Sequence, residues 1–138
     1  MVEEAAALAS RLKHRLIKKD WTISTAESCT GGLISSLLTD ISGASAWFKQ
    51  GWIVYSNESK MRELGVESPA FDEGGHGAVS HKVAVQMARG ARYKSGSNIS
   101  IAVTGIAGPS GSSEDKDCLL YTSPSPRDCD RSRMPSSA

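Results

Sequence analysis

The chain has 138 residues, with 16 Lys and Arg against 15 Asp and Glu, a formal net charge of +1 and 39% hydrophobic residues. That is enough for one compact domain, and it excludes a polybasic nucleic-acid surface, an acidic solvating tail and any apolar run of about 18 residues that could cross a bilayer. The charged start, Met1 to Ala7, lacks the basic stretch and apolar core of a signal peptide, so a cytoplasmic chain is expected.

Ala5, Leu8, Ala9, Leu12 and Leu16 recur at helical spacing, with Arg11, Lys13, Arg15, Lys18 and Lys19 mostly between them. They predict an amphipathic helix whose small-residue stripe covers a sheet. The period falls to two in Trp21 to Ala26, a short strand, and Glu27-Ser-Cys-Thr-Gly-Gly32 then interrupts it before Leu33, Ile34, Leu37, Leu38 and Ile41 return to helical spacing. Gly43-Ala-Ser45 stops that helix. An aromatic and β-branched run, Trp47 to Tyr55, follows as one bent or two short strands. Ser56 or Asn57 caps a short helix from Glu58 to Leu64, and residues 67–77 read as a loop around Pro69. Ser80 caps a longer helix through Val83, Met87 and Ala91 to Gly96, and Ile99 to Val103 is a strand running into Thr104-Gly-Ile-Ala-Gly-Pro109. Strands alternating with helices predict a single layered α/β domain with a mixed or mostly parallel sheet, its functional loops beyond the C-terminal ends of the strands.

Two loops follow predicted strands, Ala26 to Gly32 and Thr104 to Pro109. Neither has the Gly-Lys-Ser/Thr ending of a phosphate-binding P-loop or the three-glycine dinucleotide spacing. What they offer is hydroxyls and backbone amides suited to a phosphate, a carboxylate or a developing oxyanion, or merely tight turns. Ser28 is the best candidate nucleophile, and a serine needs a base. His14, His76 and His81 have no sequence context that selects one of them. Lys60, in the first turn of a helix after a buried-looking strand, reads either as an exposed lysine or as an amine that the helix N-terminus and an apolar surround keep neutral. Cys29, Cys118 and Cys129 form an odd set without a close pair, from which neither a disulfide framework nor a metal site follows.

Composition changes near Lys116. Residues 118–138 hold three of the five prolines and two of the three cysteines, a composition of turn and coil. They read as a non-native or disordered tail and resemble translated sequencing-adapter DNA, so the domain is expected to span residues 1–117.

The segments Thr25 to Leu33, Gly43 to Ser45, Gly51 to Asn57 with Lys60, Leu64 to Val66, Gly77 to Ser80, Met87-Ala88 and Thr104 to Pro109 together resemble the CinA C-terminal domain family, whose members include nicotinamide-nucleotide amidohydrolases. The resemblance implies an α/β amidohydrolase that converts nicotinamide mononucleotide to nicotinic acid mononucleotide and ammonia. It matches the nucleophile to Ser28, the general base to Lys60, supporting polar groups to Ser45 and Tyr55, and part of the nucleotide pocket to Thr104, Gly105 and Gly108. A local inference adds the amides of Thr30, Gly31 and Gly32 as the oxyanion site. The expected partner is a small nucleotide, with no cofactor, no metal, no nucleic acid and no membrane; homo-oligomerisation is left open. A noncatalytic nucleotide-binding or regulatory module is the alternative. The start at Met1, close before the first family helix, favours a stand-alone enzyme. The resemblance stops at Lys116, before the final strand and helix and an arginine-bearing segment that Arg127, Arg131 and Arg133 do not match. Missing C-terminal elements imply an exposed sheet edge, poor solubility or domain swapping, and leave the activity of this shorter chain open.

Overall fold

The computed structural model describes residues 2–75, 81–105 and 119–124. Helix α1 (Val2–Lys19) leads into strand β1 (Ile23–Glu27), followed by helix α2 (Leu33–Thr39), a 3₁₀ turn at Ala44–Ala46 and strand β2 (Phe48–Ile53). Helix α3 (Asn57–Leu64), a 3₁₀ segment at Ser68–Gly75, helix α4 (His81–Ser95), strand β3 (Ile99–Thr104) and strand β4 (Leu119–Ser123) complete the order. The strands form one sheet in the order β2-β1-β3-β4, with β1 parallel to both β2 and β3 and β3 antiparallel to β4. The expected α/β domain with a mixed, mostly parallel sheet is therefore observed.

Both faces of the sheet are covered. On one, Ala9 and Leu16 of α1 and Leu38 of α2 meet Ile23, Ala44 and Trp47. On the other, Leu64, Val66 and Ala70 join Val83, Met87, Ala88 and Ala91 of α4 against Ala26, Val54 and Ala102. A parallel strand covered on both sides has no solvent face, and all five residues of β1 are buried. Alternation then fixes the direction of each side chain in β1. Ile23 packs toward α1 and α2, Thr25 bonds to Ser35 of α2 and Ala26 packs toward α4. Trp47 is the largest fully buried side chain, and its indole N–H is the one buried side-chain donor or acceptor among the described residues without a partner. Burying the ring contributes about 5 kcal/mol for about 200 Å² of surface. The unmet donor costs about 1–3 kcal/mol, so burial wins.

Helix ends follow local chemistry. After α1 the amides of Asp20 and Trp21 return to the carbonyls of Ile17 and Leu16, with Asp20 in the left-handed region at φ 58°. This is a Schellman ending with aspartate where glycine is usual. The α3 helix opens on Ser56, whose hydroxyl accepts the Ser59 amide at 3.0 Å, as its expected capping role requires.

Two segments differ from the sequence reading. The stretch read as a loop winds into a 3₁₀ helix at Ser68–Gly75 because Ala70 is buried in the apolar cluster under α4. The second difference is β4. Leu119 to Ser123 lies in the stretch expected to be a tail, yet it pairs with β3 through the register Ala102↔Tyr121 and Thr104↔Leu119. Tyr121 packs against the α4-side cluster, and the first proline comes only at Pro124, where the strand has ended. β3 thus has a neighbour on the edge expected to be bare. Residues 125–138 lie outside the described residues, as do Gly108 and His76.

Candidate functional site

The loop after β1 joins the C-terminal edge of the sheet to α2. Since Ala26 faces α4, Ser28 falls two residues on along the same side, toward α3. The Ser28 amide donates to the Val103 carbonyl at 2.9 Å, which ties the loop to β3. Lys60 approaches the same point from the first turn of α3 and is fully buried, while Ser28 is 4% exposed. The Lys60 amine donates to Ser28 Oγ at 2.9 Å and to the Tyr55 carbonyl at 2.8 Å. Ser28 Oγ in turn has a long contact of 3.4 Å to that carbonyl. Desolvation favours the uncharged amine and pushes the Lys60 pKa from 10.5 down to about 8.

Other sequence candidates fall differently. Tyr55 contributes its backbone carbonyl, whereas its side chain is 71% exposed. Ser45 stands in the 3₁₀ turn before β2, at the opposite end of the strands from Ser28, because β2 begins beside Ile23 and ends beside Glu27. There it lines a cavity of about 550 Å³ with Thr39, Ile41 and Phe48, remote from the Ser28–Lys60 pair. Thr104 is buried at the end of β3, and Gly105 follows it with φ 154°. His14 is exposed on α1, and His81 stacks edge-on against Tyr121 with ring centroids 5.4 Å apart. Cys29 is disulfide-bonded, against the expectation.

The amides of the first loop also need correction. Gly31 N–H donates to the Ser28 carbonyl at 3.0 Å, and Gly32 N–H donates to Glu27 Oε1 at 3.1 Å. Of the three amides expected to meet an oxyanion, only that of Thr30 makes no hydrogen bond among the described residues. The acceptor that takes the Gly32 amide is one that sequence reasoning missed. Glu27 is fully buried and also receives the Thr30 hydroxyl, the Ile34 and Ser35 amides and the Ser35 hydroxyl. Burial alone would raise its pKa, but the hydrogen bonds from Ser35, Thr30 and Ile34 together outweigh it and hold the carboxyl below its ordinary value. The signal was an acid placed between a strand and a helix N-terminus, where negative charge is stabilised.

Two glycines make room for this packing. Gly32 takes φ 108°, and a Cβ there would stand 3.0 Å from Ile53 Cδ1. At Gly51 a Cβ would lie 2.6 Å from Thr25 Oγ1 and 2.9 Å from Ser35 Oγ, so β2 passes directly over the hydroxyl pair that supports Glu27. Among the described residues no group of three or more His, Cys, Asp or Glu is placed to hold a metal, and no helix is long and apolar enough to cross a membrane.

The profile of the CinA C-terminal domain matches residues 5–119. A CinA-like protein of Geotalea daltonii is 57% identical over 95 residues, which are 69% of this chain and 22% of that protein. The nicotinamide-nucleotide amidohydrolase PncC of Shewanella oneidensis is 47% identical over 116 residues, 84% of this chain and 27% of that protein. The chain thus spans about a quarter of the length of these curated relatives. Among solved structures, the competence/damage inducible protein CihA of Agrobacterium tumefaciens superposes with a TM-score of 0.74 at 39% identity, over 86% of this chain and 79% of that one. A CinA superfamily protein of Escherichia coli superposes with a TM-score of 0.75 at 29% identity, over 92% and 80%.

Proposed function

Because the chain belongs to the CinA C-terminal domain family, we propose that it hydrolyses the carboxamide of nicotinamide mononucleotide to nicotinic acid mononucleotide and ammonia, with Ser28 as nucleophile and Lys60 as general base. The observation that carries the reading is the buried Lys60 amine, 2.9 Å from the Ser28 hydroxyl, with the Tyr55 carbonyl as its other partner. The carbonyl cannot protonate the amine or neutralise its charge as a carboxylate would. Burial therefore acts unopposed, and an appreciable fraction of Lys60 is neutral near pH 7.

In the first step the Ser28 oxygen forms a bond to the carboxamide carbon as its proton passes to Lys60. The carbonyl π electrons move to oxygen, where the Thr30 amide supplies a donor. Collapse of the tetrahedral intermediate breaks the C–N bond, and Lys60 returns the proton to the leaving nitrogen, which departs as ammonia. Water then attacks the acyl ester, again giving its proton to Lys60, and the Ser28 oxygen recovers a proton as the carboxylate product leaves. Glu27 already occupies the Gly32, Ile34 and Ser35 amides, so the substrate phosphate binds away from the start of α2. The loop beginning at Thr104 and Gly105 is the expected alternative, with Gly108 outside the described residues. Residues 1–117 are read as the amidohydrolase domain and 118–138 as foreign to it, with β4 supplying a neighbour for β3.

Ammonia release from nicotinamide mononucleotide by the full chain tests the reading. The expected result is turnover that Ser28→Ala abolishes and Lys60→Met strongly reduces. Nucleotide binding with no ammonia release would instead assign a noncatalytic binding or regulatory role.

A further inference from the structure

The acid immediately before Ser28 takes no chemical part in the reaction above. It is nevertheless the most heavily bonded side chain around the loop. Glu27 Oε1 accepts the Thr30 hydroxyl at 2.7 Å and the Gly32 and Ile34 amides at 3.1 and 2.9 Å, while Oε2 accepts the Ser35 amide at 2.7 Å and its hydroxyl at 2.6 Å. No Lys, Arg or His forms an ion pair with it among the described residues. A buried carboxylate without a cation is costly unless hydrogen bonds replace its water. Here all five donors come from residues 30–35, the end of the loop that carries the nucleophile and the first turn of α2. A strand that merely had to end under a helix would do so with an apolar residue at no such cost. The arrangement instead converts the end of β1 into an anchor for the loop.

We infer that Glu27 is a positioning residue: by gathering the Thr30, Gly32, Ile34 and Ser35 donors it fixes the backbone that holds Ser28 Oγ against Lys60 and leaves the Thr30 amide for the oxyanion. This rests on the amidohydrolase reading. Alternation along β1 directs Glu27 toward α2 and Ser28 toward α3, so the charge of Glu27 is met by the loop and Lys60 gains no counter-ion from it. That matters because an acid paired with Lys60 would keep the amine protonated and useless as a base. Burial is the sole cause of the Lys60 shift, in agreement with this separation. Gly51 belongs to the same device, since its missing Cβ admits the Thr25–Ser35 hydroxyl pair beside the carboxylate.

The test is Glu27→Gln in the full chain, with Glu27→Asp as the charge-retaining control. Whichever way the glutamine amide turns, its NH₂ meets at least two of the five donors. The expected result is kcat for nicotinamide mononucleotide lowered about 30-fold or more with KM changed less than about threefold, the split that marks an interaction serving the transition state. Two readouts do not use that substrate. A fluorophosphonate should label Ser28 more slowly by a comparable factor; the serine oxygen bonds to phosphorus, fluoride leaves and the proton passes to Lys60. Amide hydrogen exchange at Gly32, Ile34 and Ser35 should accelerate, and Glu27→Asp should recover part of each loss. A folded Glu27→Gln protein with kcat and labelling within twofold of wild type would overturn the inference, as would a loss confined to KM. If that variant does not fold, Ser35→Ala removes one donor and is expected to slow labelling severalfold, with unchanged labelling counting against the inference. Wild-type protein that is labelled at Ser28 but releases no ammonia would refute the substrate reading while the labelling and exchange comparisons still judge Glu27.

Discussion

The buried lysine makes a quantitative prediction about pH. With its pKa at about 8, Lys60 is neutral in about 9% of molecules at pH 7 and about 90% at pH 9. If the neutral amine is the base, kcat/KM should rise about tenfold over that interval and flatten above it. A solvated lysine at 10.5 would be neutral in only about 0.03% of molecules at pH 7 and about 3% at pH 9, giving a climb of about a hundredfold with no plateau. Continuous ammonia release measured from pH 7 to 10 separates the two. Starting at pH 7 keeps the substrate phosphate, with a second pKa of about 6, from contributing. The perturbing arm is Lys60→Met, whose residual rate should lose the inflection near 8. A hundredfold rise without a plateau in the wild type, or an inflection that survives in Lys60→Met, would refute the reasoning.

The same burial has a cost in stability. Folded Lys60 loses its proton near pH 8 and unfolded Lys60 near 10.5, so between these values the unfolded chain binds more protons and stability rises with pH. Below pH 8 the full penalty, up to about 3 kcal/mol, is present, and Lys60→Met should raise the urea midpoint at pH 7 by an amount that shrinks between pH 8 and 10.5; a lower midpoint at pH 7 would contradict this. Ser56→Ala removes the cap that orders the first turn of α3 and should cost about 1 kcal/mol in the same unfolding assay, with a loss of turnover because Lys60 sits on that turn. A Cβ at Gly90 would collide with the Leu64 carbonyl oxygen, a backbone atom that cannot swing aside, so Gly90→Ala should destabilise by about 2 kcal/mol or more. The intrinsic helix preference alone would stabilise by about 1 kcal/mol, and calorimetry decides by the sign.

Helical and two-residue periods were sufficient to read α1 to α4 and β1 to β3 because each buries a face whose spacing is written in apolar residues. β4 escaped since its five residues sit among prolines and serines, and its strand character depends on the free edge of β3, a partner distant in sequence. The 3₁₀ segment around Ala70 likewise depends on a cluster assembled from α3 and α4. At the site, Ser28 and Lys60 were legible as residue types, and resemblance paired them; periodicity could not, because 32 residues of sequence separate them. Tyr55 shows another limit, since its position matters through a carbonyl that every residue carries. Ser45 is near in sequence to the β2 residues of the site edge but belongs to the other end of that strand. Glu27 became visible only once the strand's alternating faces were known, for its partners all follow it in the chain and lie on the side away from Lys60.

The most direct measurement is rapid-quench mass spectrometry of the protein turning over nicotinamide mononucleotide, followed by digestion across Ser28. The account predicts an acyl ester derived from the substrate on the Ser28 peptide, formed with release of ammonia and absent in Ser28→Ala. Undiminished ammonia release by Ser28→Ala, with no adduct on the wild-type peptide, would contradict it.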